Sequence, residues 1–198
     1  MSMTVLKELR ELKVVIVHPP DEEGSALQAH LRRIGCMASF AWPLPEALPA
    51  NADVVFVLID DHFRPGCRKL LQALPQPRPT VIAIQSYEDP GTLQVMLDMG
   101  ALASVQKPIR ASGLLASLAI ARKTWADAQA LCKENRKLRR KIVSDQTISR
   151  AKAILMAARD IDEQGAYDAI RAQAMARRVS MNEIANSIIN MEKLLKLD

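Results

Sequence analysis

Side chains able to do covalent or acid–base chemistry are few and scattered in this 198-residue chain. Its three histidines, His18, His30 and His62, share neither a metal-ligand spacing nor a triad arrangement. Asp60 and Asp61 read as loop acids, and His62 beside them as part of a surface pair. No glycine-rich phosphate loop occurs. Cys36, Cys67 and Cys132 are odd in number and far apart, which fits neither a disulfide framework nor a zinc site. They read as reduced, with Cys36 and Cys67 structural. The expectation is no enzyme, no metal and no cofactor. What remains is cationic and aromatic chemistry near the C-terminus. Tyr167, Arg171, Met175 and Arg178 follow at steps of four, four and three, which places one ring and two guanidinium groups on one helix face. Lys152 borders an apolar stripe, Arg159 lies seven residues further along the same edge, and Arg177 and Arg150 are peripheral. Such groups grip phosphates and stack on bases. Equally, Lys152 and Arg171 can lay their stems over a small core while Tyr167 merely packs. The residues alone leave both readings open.

The charge is unevenly spread. Residues 1–121 hold 11 Lys+Arg and 12 Asp+Glu, a net of −1, whereas residues 122–198 hold 16 and 10, a net of +6. That polarity fits a polyanion-binding end, and it also fits a solvated helical surface. Hydrophobic residues at 49% and charged residues at 25% suit a chain that buries a core. No apolar stretch approaches the roughly 20 residues that span a bilayer. Met1 to Lys13 alternates charges with leucines and lacks a signal-peptide core, so a cytoplasmic location is expected.

The elements that must carry these groups fall into two styles. Leu12–His18, Val54–Ile59 and Val81–Ile84 are β-branched apolar runs of the kind found in buried parallel strands, with weaker strands over Cys36–Trp42 and Leu102–Val105. Helical stripes lie between them: Ala26, Leu27, Leu31 and Ile34 closed by Gly35, a segment Arg68–Leu74, and a helix opened by Pro90 and closed by Gly100. This alternation predicts a doubly wound α/β sheet of flavodoxin-like type. No proline occurs from 109 to 198. Leu114, Leu118, Ala121, Trp125, Ala128, Leu131, Leu138 and Ile142 recur near a 3.5-residue spacing, with Asn135 on the seam. That predicts a long coiled-coil helix whose partner-facing residues include Leu118, Trp125, Leu131, Leu138 and Ile142. The alternative is one long helix packed on its own domain. The basic run Lys133–Lys141 reads as a solvated flank. Three short amphipathic helices are expected to follow: 146–159 with Ile148, Ala151 and Leu155; 162–177 with Ala166, Ile170 and Ala174; and one from Ser180 with Ile184, Ile188, Met191 and Leu195. Ser180 and Glu183 have capping-box spacing at the start of the last.

Gly100-Ala101, Val105 and Lys107-Pro108 resemble the end of the fifth strand in receiver domains of response regulators. That resemblance implies a lysine, Lys107, that pairs with a phosphoryl group in working receivers. The rest of the phosphorylation site departs from the pattern. The place of the acidic pair reads His18-Pro19-Pro20-Asp21, and counting from Asp53 puts Leu58 where the phosphoacceptor aspartate belongs. Asp60 and Asp61 come two and three residues too late, and either Ser86 or Gln85 takes the place of the small hydroxyl. The resemblance is therefore to a pseudo-receiver, with Lys107 a vestige.

Ile148, Ala151-Lys152 and Leu155-Met156, then Ala166-Tyr167, Ile170-Arg171 and Ala174-Met175, then Ile184-Ala185 and Ile188-Ile189, resemble the three-helix ANTAR domain of bacterial antiterminators. Ile170 stands where leucine is usual, a swap of equal volume. Pro19-Pro20, Arg33-Ile34-Gly35-Cys36, Trp42-Pro43, Pro45-Glu46-Ala47 and Asp53-Val54-Val55-Phe56 extend the resemblance to AmiR-type antiterminators of amidase operons along essentially the whole chain. It implies a pseudo-receiver over 1–110, a dimerising coiled coil over 111–143 and an ANTAR domain over 144–198. It further implies a homodimer that binds stem-loops of leader mRNA and prevents terminator formation. A ligand-sensing regulator of periplasmic-binding-protein fold would hold it inactive. The implied RNA contacts are Lys152, Arg159, Tyr167, Arg171, Arg177 and Arg178. The rival expectation is a phosphorylation-dependent response regulator with a DNA-binding helical output domain; a pure protein adaptor is a third.

Overall fold

The structure, a computed structural model, describes residues 9–60, 66, 69–70, 73–74 and 77–195. It divides into two compact units, Met1–Gln129 and Ala130–Asp198. The first is built on five strands: β1 (Lys13–Val17), β2 (Met37–Phe40), β3 (Val54–Ile59), β4 (Thr80–Gln85) and β5 (Ala103–Gln106). All pair in parallel in the order β2-β1-β3-β4-β5. Every residue of β3 and β4 is buried, because both faces of the sheet are covered and an apolar run therefore suits them. On one face Ile16, Phe56, Leu58 and Ile82 pack with Leu27 and Leu31 of α1 (Glu22–Ile34). On the other, Val15, Val57 and Ala83 pack with Leu70, Leu74 and Val95, the last from α2 (Pro90–Asp98). This is the doubly wound order expected from the alternating pattern. The helix expected over Arg68–Leu74, and Asp61, His62 and Cys67, lie outside the described residues or include such positions.

Local chemistry sets the helix ends. Asp21 caps α1 by accepting from the Gly24 backbone N–H at 2.9 Å, and Gly35 closes it at φ 106°. Asp89 caps α2, with Pro90 in its first turn where no amide partner is required.

Three further helices follow: α3 (Leu114–Arg159), α4 (Glu163–Arg177) and α5 (Met181–Leu195). Two expectations for α3 need correction. Leu118 does not face a coiled-coil partner; it is fully buried in the core of its own α/β unit with Leu114 and Ala121. Trp125 is also engaged at home. Its indole N–H donates to the Arg78 carbonyl at 2.6 Å, and the Arg122 guanidinium lies 4.4 Å from its ring centroid. Arg122 in turn donates to the Asp53 carbonyl and the Thr80 hydroxyl, binding the first part of α3 to the starts of β3 and β4. The break expected before residue 146 is also absent, and α3 runs unbroken. The stretch Ser144–Thr147 holds no glycine or proline, and the Thr147 hydroxyl donates back to the Val143 carbonyl at 2.8 Å, a bond compatible with continued helix.

The core of the second unit is small: Ala151, Ile170, Ala174, Ile184, Ala185 and Ile189, flanked by Ile148, Leu155 and Met181. Met191, expected on the buried stripe, is instead 64% exposed. The face of α5 turned inward is the one carrying Ile184, Ala185 and Ile189, so the step from Ile188 to Met191 leads toward its open side. The capping box is present: the Ser180 N–H donates to Glu183 at 2.8 Å, and the Glu183 N–H donates to the Ser180 hydroxyl at 3.2 Å.

Candidate nucleic-acid interface

In the α/β unit, the turn after β1 packs closely against α1. His18, just past β1, is fully buried. Its Nδ1–H donates to the Pro19 carbonyl at 2.8 Å, and its Nε2 has no hydrogen-bond partner among the described residues. Gly24 faces that carbonyl so closely that an added Cβ would stand 2.3 Å from it, so the turn after β1 lies directly against α1. Asp21 serves as the helix cap, and the Glu23 carboxylate accepts from the Ile109 backbone N–H at 2.7 Å. Leu58 is buried among aliphatic side chains and has no nucleophilic atom. Asp60 immediately follows β3. Lys107 is half-buried before a cis peptide to Pro108, its amide held by the Gln85 carbonyl at 2.9 Å. Gln85 ends β4 and is buried, whereas Ser86 is half-buried beyond it. Among the described residues no group of three or more His, Cys, Asp or Glu could hold a metal. Burial pushes the Cys36 thiol up to about 11, and its S–H donates to the Leu9 carbonyl, in keeping with a structural role. Cys132 is exposed.

The cationic residues of the second unit separate into three settings. Lys152 is mostly buried, at 17% side-chain exposure, and its ammonium donates to Glu163 at 2.5 Å, tying α3 to the first turn of α4. That hydrogen bond, with the ammonium charge beside it, holds the Glu163 carboxyl below its ordinary range. Glu163, Tyr167 and Arg171 are four apart, so the lysine's partner begins a row that Tyr167, Arg171 and Arg178 continue along one edge of α4. All three are exposed. Arg178 closes α4 in the left-handed conformation at φ 55°. Arg159 and Arg177 form the third setting, both lining a groove between the end of α3, α4 and α5. Arg159, Arg171, Arg177 and Arg178 have no ion pair among the described residues. The six residues expected at one site thus fall into an exposed row on α4, a pair along the groove from the end of α3 and from α4, and one internal clip. Sequence spacing captured the Tyr167 row but missed the Lys152–Glu163 pair, whose members are eleven residues apart across a turn. It also missed the groove, where Gln173 joins the two arginines.

Residues 12–122 match the family model described as AmiR, N-terminal, and residues 136–189 match the ANTAR domain. The chain is 32% identical over 189 residues to the aliphatic amidase regulator of Pseudomonas aeruginosa, with 96% of each chain covered. Among solved structures, a response regulator receiver protein from Burkholderia phymatum aligns at TM-score 0.46 and 21% identity, covering 57% of this chain and 96% of its own. A response regulator from Thermotoga maritima aligns at TM-score 0.46 and 18% identity, covering 57% and 98%. Fold and family matches together define a class of regulator: a parallel five-stranded α/β unit of order β2-β1-β3-β4-β5 followed by a helical ANTAR domain. The chain belongs to the AmiR family of transcription antiterminators. No helix among the described residues is long and apolar enough to cross a membrane.

Proposed function

We propose that this chain acts in the cytoplasm as a dimer that binds stem-loops of leader mRNA and so keeps a terminator hairpin from forming, in control of an amidase-type operon. No bond is made or broken; binding free energy shifts an RNA folding equilibrium. The observation that carries this reading is the set of four exposed arginines without ion pairs on the second unit, beside exposed Tyr167. Cations left unneutralised by the protein are available to phosphates, and unpaired loop bases offer faces to an aromatic ring. RNA contact is assigned to Tyr167, Arg171, Arg178, Arg159 and Arg177, whereas Lys152 holds α4 in place through Glu163. The RNA-binding part spans 144–198.

Dimerisation is assigned to the stretch of α3 beyond the first unit. Leu131, Leu138 and Ile142 are 67%, 53% and 55% exposed there, at the spacing of a two-helix seam, and Asn135 falls between them. The α/β unit is the proposed docking surface for a ligand-sensing partner of periplasmic-binding-protein fold, as the resemblance carried by Pro19-Pro20, Trp42-Pro43 and Asp53-Val54-Val55-Phe56 implies. The test is a gel shift with a leader stem-loop pair against duplex DNA at matched salt. The reading expects RNA preference, and Arg171→Ala with Arg178→Ala should weaken binding and flatten its salt dependence by about 1.5 in logarithmic slope. Equal binding of both nucleic acids by the wild type would overturn it.

A further inference from the structure

The groove between the end of α3, α4 and α5 has a volume of about 660 Å³, within the range of ligand recesses. Ile154, Leu155, Ile188 and Met191 give it apolar walls. Gln173 and Glu192 add polar atoms, and the exposed Arg159 and Arg177 stand along it. From this combination we infer that the groove seats an unpaired base of the RNA loop, with the adjoining phosphates on Arg159 and Arg177. The inference rests on the RNA-binding reading and adds where the loop enters.

A nucleobase has two apolar faces and a polar edge. Branched aliphatic walls bury the faces, and the Gln173 amide offers both a donor and an acceptor to the edge. Guanidinium groups match phosphate oxygens bidentately. The phosphates stay at the exposed arginines and the base goes inward between the apolar walls. A helix from a second copy is the rival occupant. Its aliphatic ridge would strip water from two arginines that have no ion pair among the described residues, which is costly for an uncompensated charge. Charge complementarity therefore favours a polyanion with an apolar insert.

The test uses the full chain and a pool of RNA stem-loops with randomised loops containing 4-thiouridine, enriched on the wild-type protein, irradiated, and mapped by mass spectrometry. Crosslinks should fall on peptides carrying Ile188 and Met191. Ala172→Trp fills the groove from an exposed position. It should cut affinity about tenfold with an unchanged salt slope, since no phosphate contact is lost. Arg159→Ala with Arg177→Ala should flatten that slope by about 1.5. Crosslinks confined to the Tyr167 edge, or wild-type affinity in Ala172→Trp, would overturn the assignment, as would dissociation of a dimer by Ala172→Trp, which would place a second copy there. If wild-type protein enriches no stem-loop, the RNA-binding reading itself fails and the groove assignment falls with it.

Discussion

Counting from Asp53 sets Leu58 at a receiver's phosphoacceptor position, and this buried aliphatic side chain offers no oxygen to phosphorus. Intact mass should therefore be unchanged after incubation with acetyl phosphate; an aspartyl phosphate adduct would revive the phosphorylation-dependent alternative. Restoring aspartate at this place will not restore a receiver. The carboxylate would be buried among aliphatic groups without the acidic pair that shares a cation, so Leu58→Asp should lower unfolding free energy by about 3 kcal/mol or more, read from urea midpoints. Arg178 poses the opposite case. Glycine adopts its left-handed conformation at least strain, yet an arginine stands there. Arg178→Gly should leave the thermal midpoint unchanged or raised while weakening stem-loop binding. A fall in stability with unaltered binding would make the side chain structural.

The helices and strands differ in how far the sequence disclosed them. β3 and β4 were legible because a strand buried on both faces favours an apolar run, here Val54–Ile59 and Val81–Ile84. The start of α5 was legible because Ser180 and Glu183 are spaced for reciprocal capping. The role of Leu118 was not, since a coiled-coil seam and a core-facing stripe both recur near 3.5 residues. The first helix of the output unit was mistaken for a separate element because its apolar face shifts there, and a shift of face needs no break in the backbone. Burial at Ile170 is complete, and the core around it is small. Ile170→Ala should cost about 3 kcal/mol, much of what a unit this size can hold, and should show as an early urea transition of the ANTAR part. The Lys152–Glu163 clip makes a pH prediction. A carboxylate whose folded pKa is depressed adds stability above its unfolded pKa and loses it as pH falls through the folded value. Wild type should thus exceed Glu163→Gln in thermal midpoint at neutral pH, and the two should converge as pH drops below about 4.3. A gap independent of pH would show that the ion pair contributes nothing.

At the scale of the molecule, the exposed apolar residues of α3 beyond the first unit set the assembly prediction. Leu131→Asp with Leu138→Asp puts like charges on the seam one heptad apart and should give a monomer by sedimentation equilibrium while the α/β circular dichroism persists. A dimer that survives both changes would move the interface elsewhere. The burial of Leu58 has one more consequence. A phosphorylated aspartate is a timer: the mark outlasts the encounter that placed it and decays at its own rate. A sheet that carries leucine where the count from Asp53 sets that aspartate keeps no such record at this place. Any control exerted through it is a matter of occupancy, present while a partner is bound and gone when it leaves, so its strength is set by relative concentrations rather than by the history of a kinase.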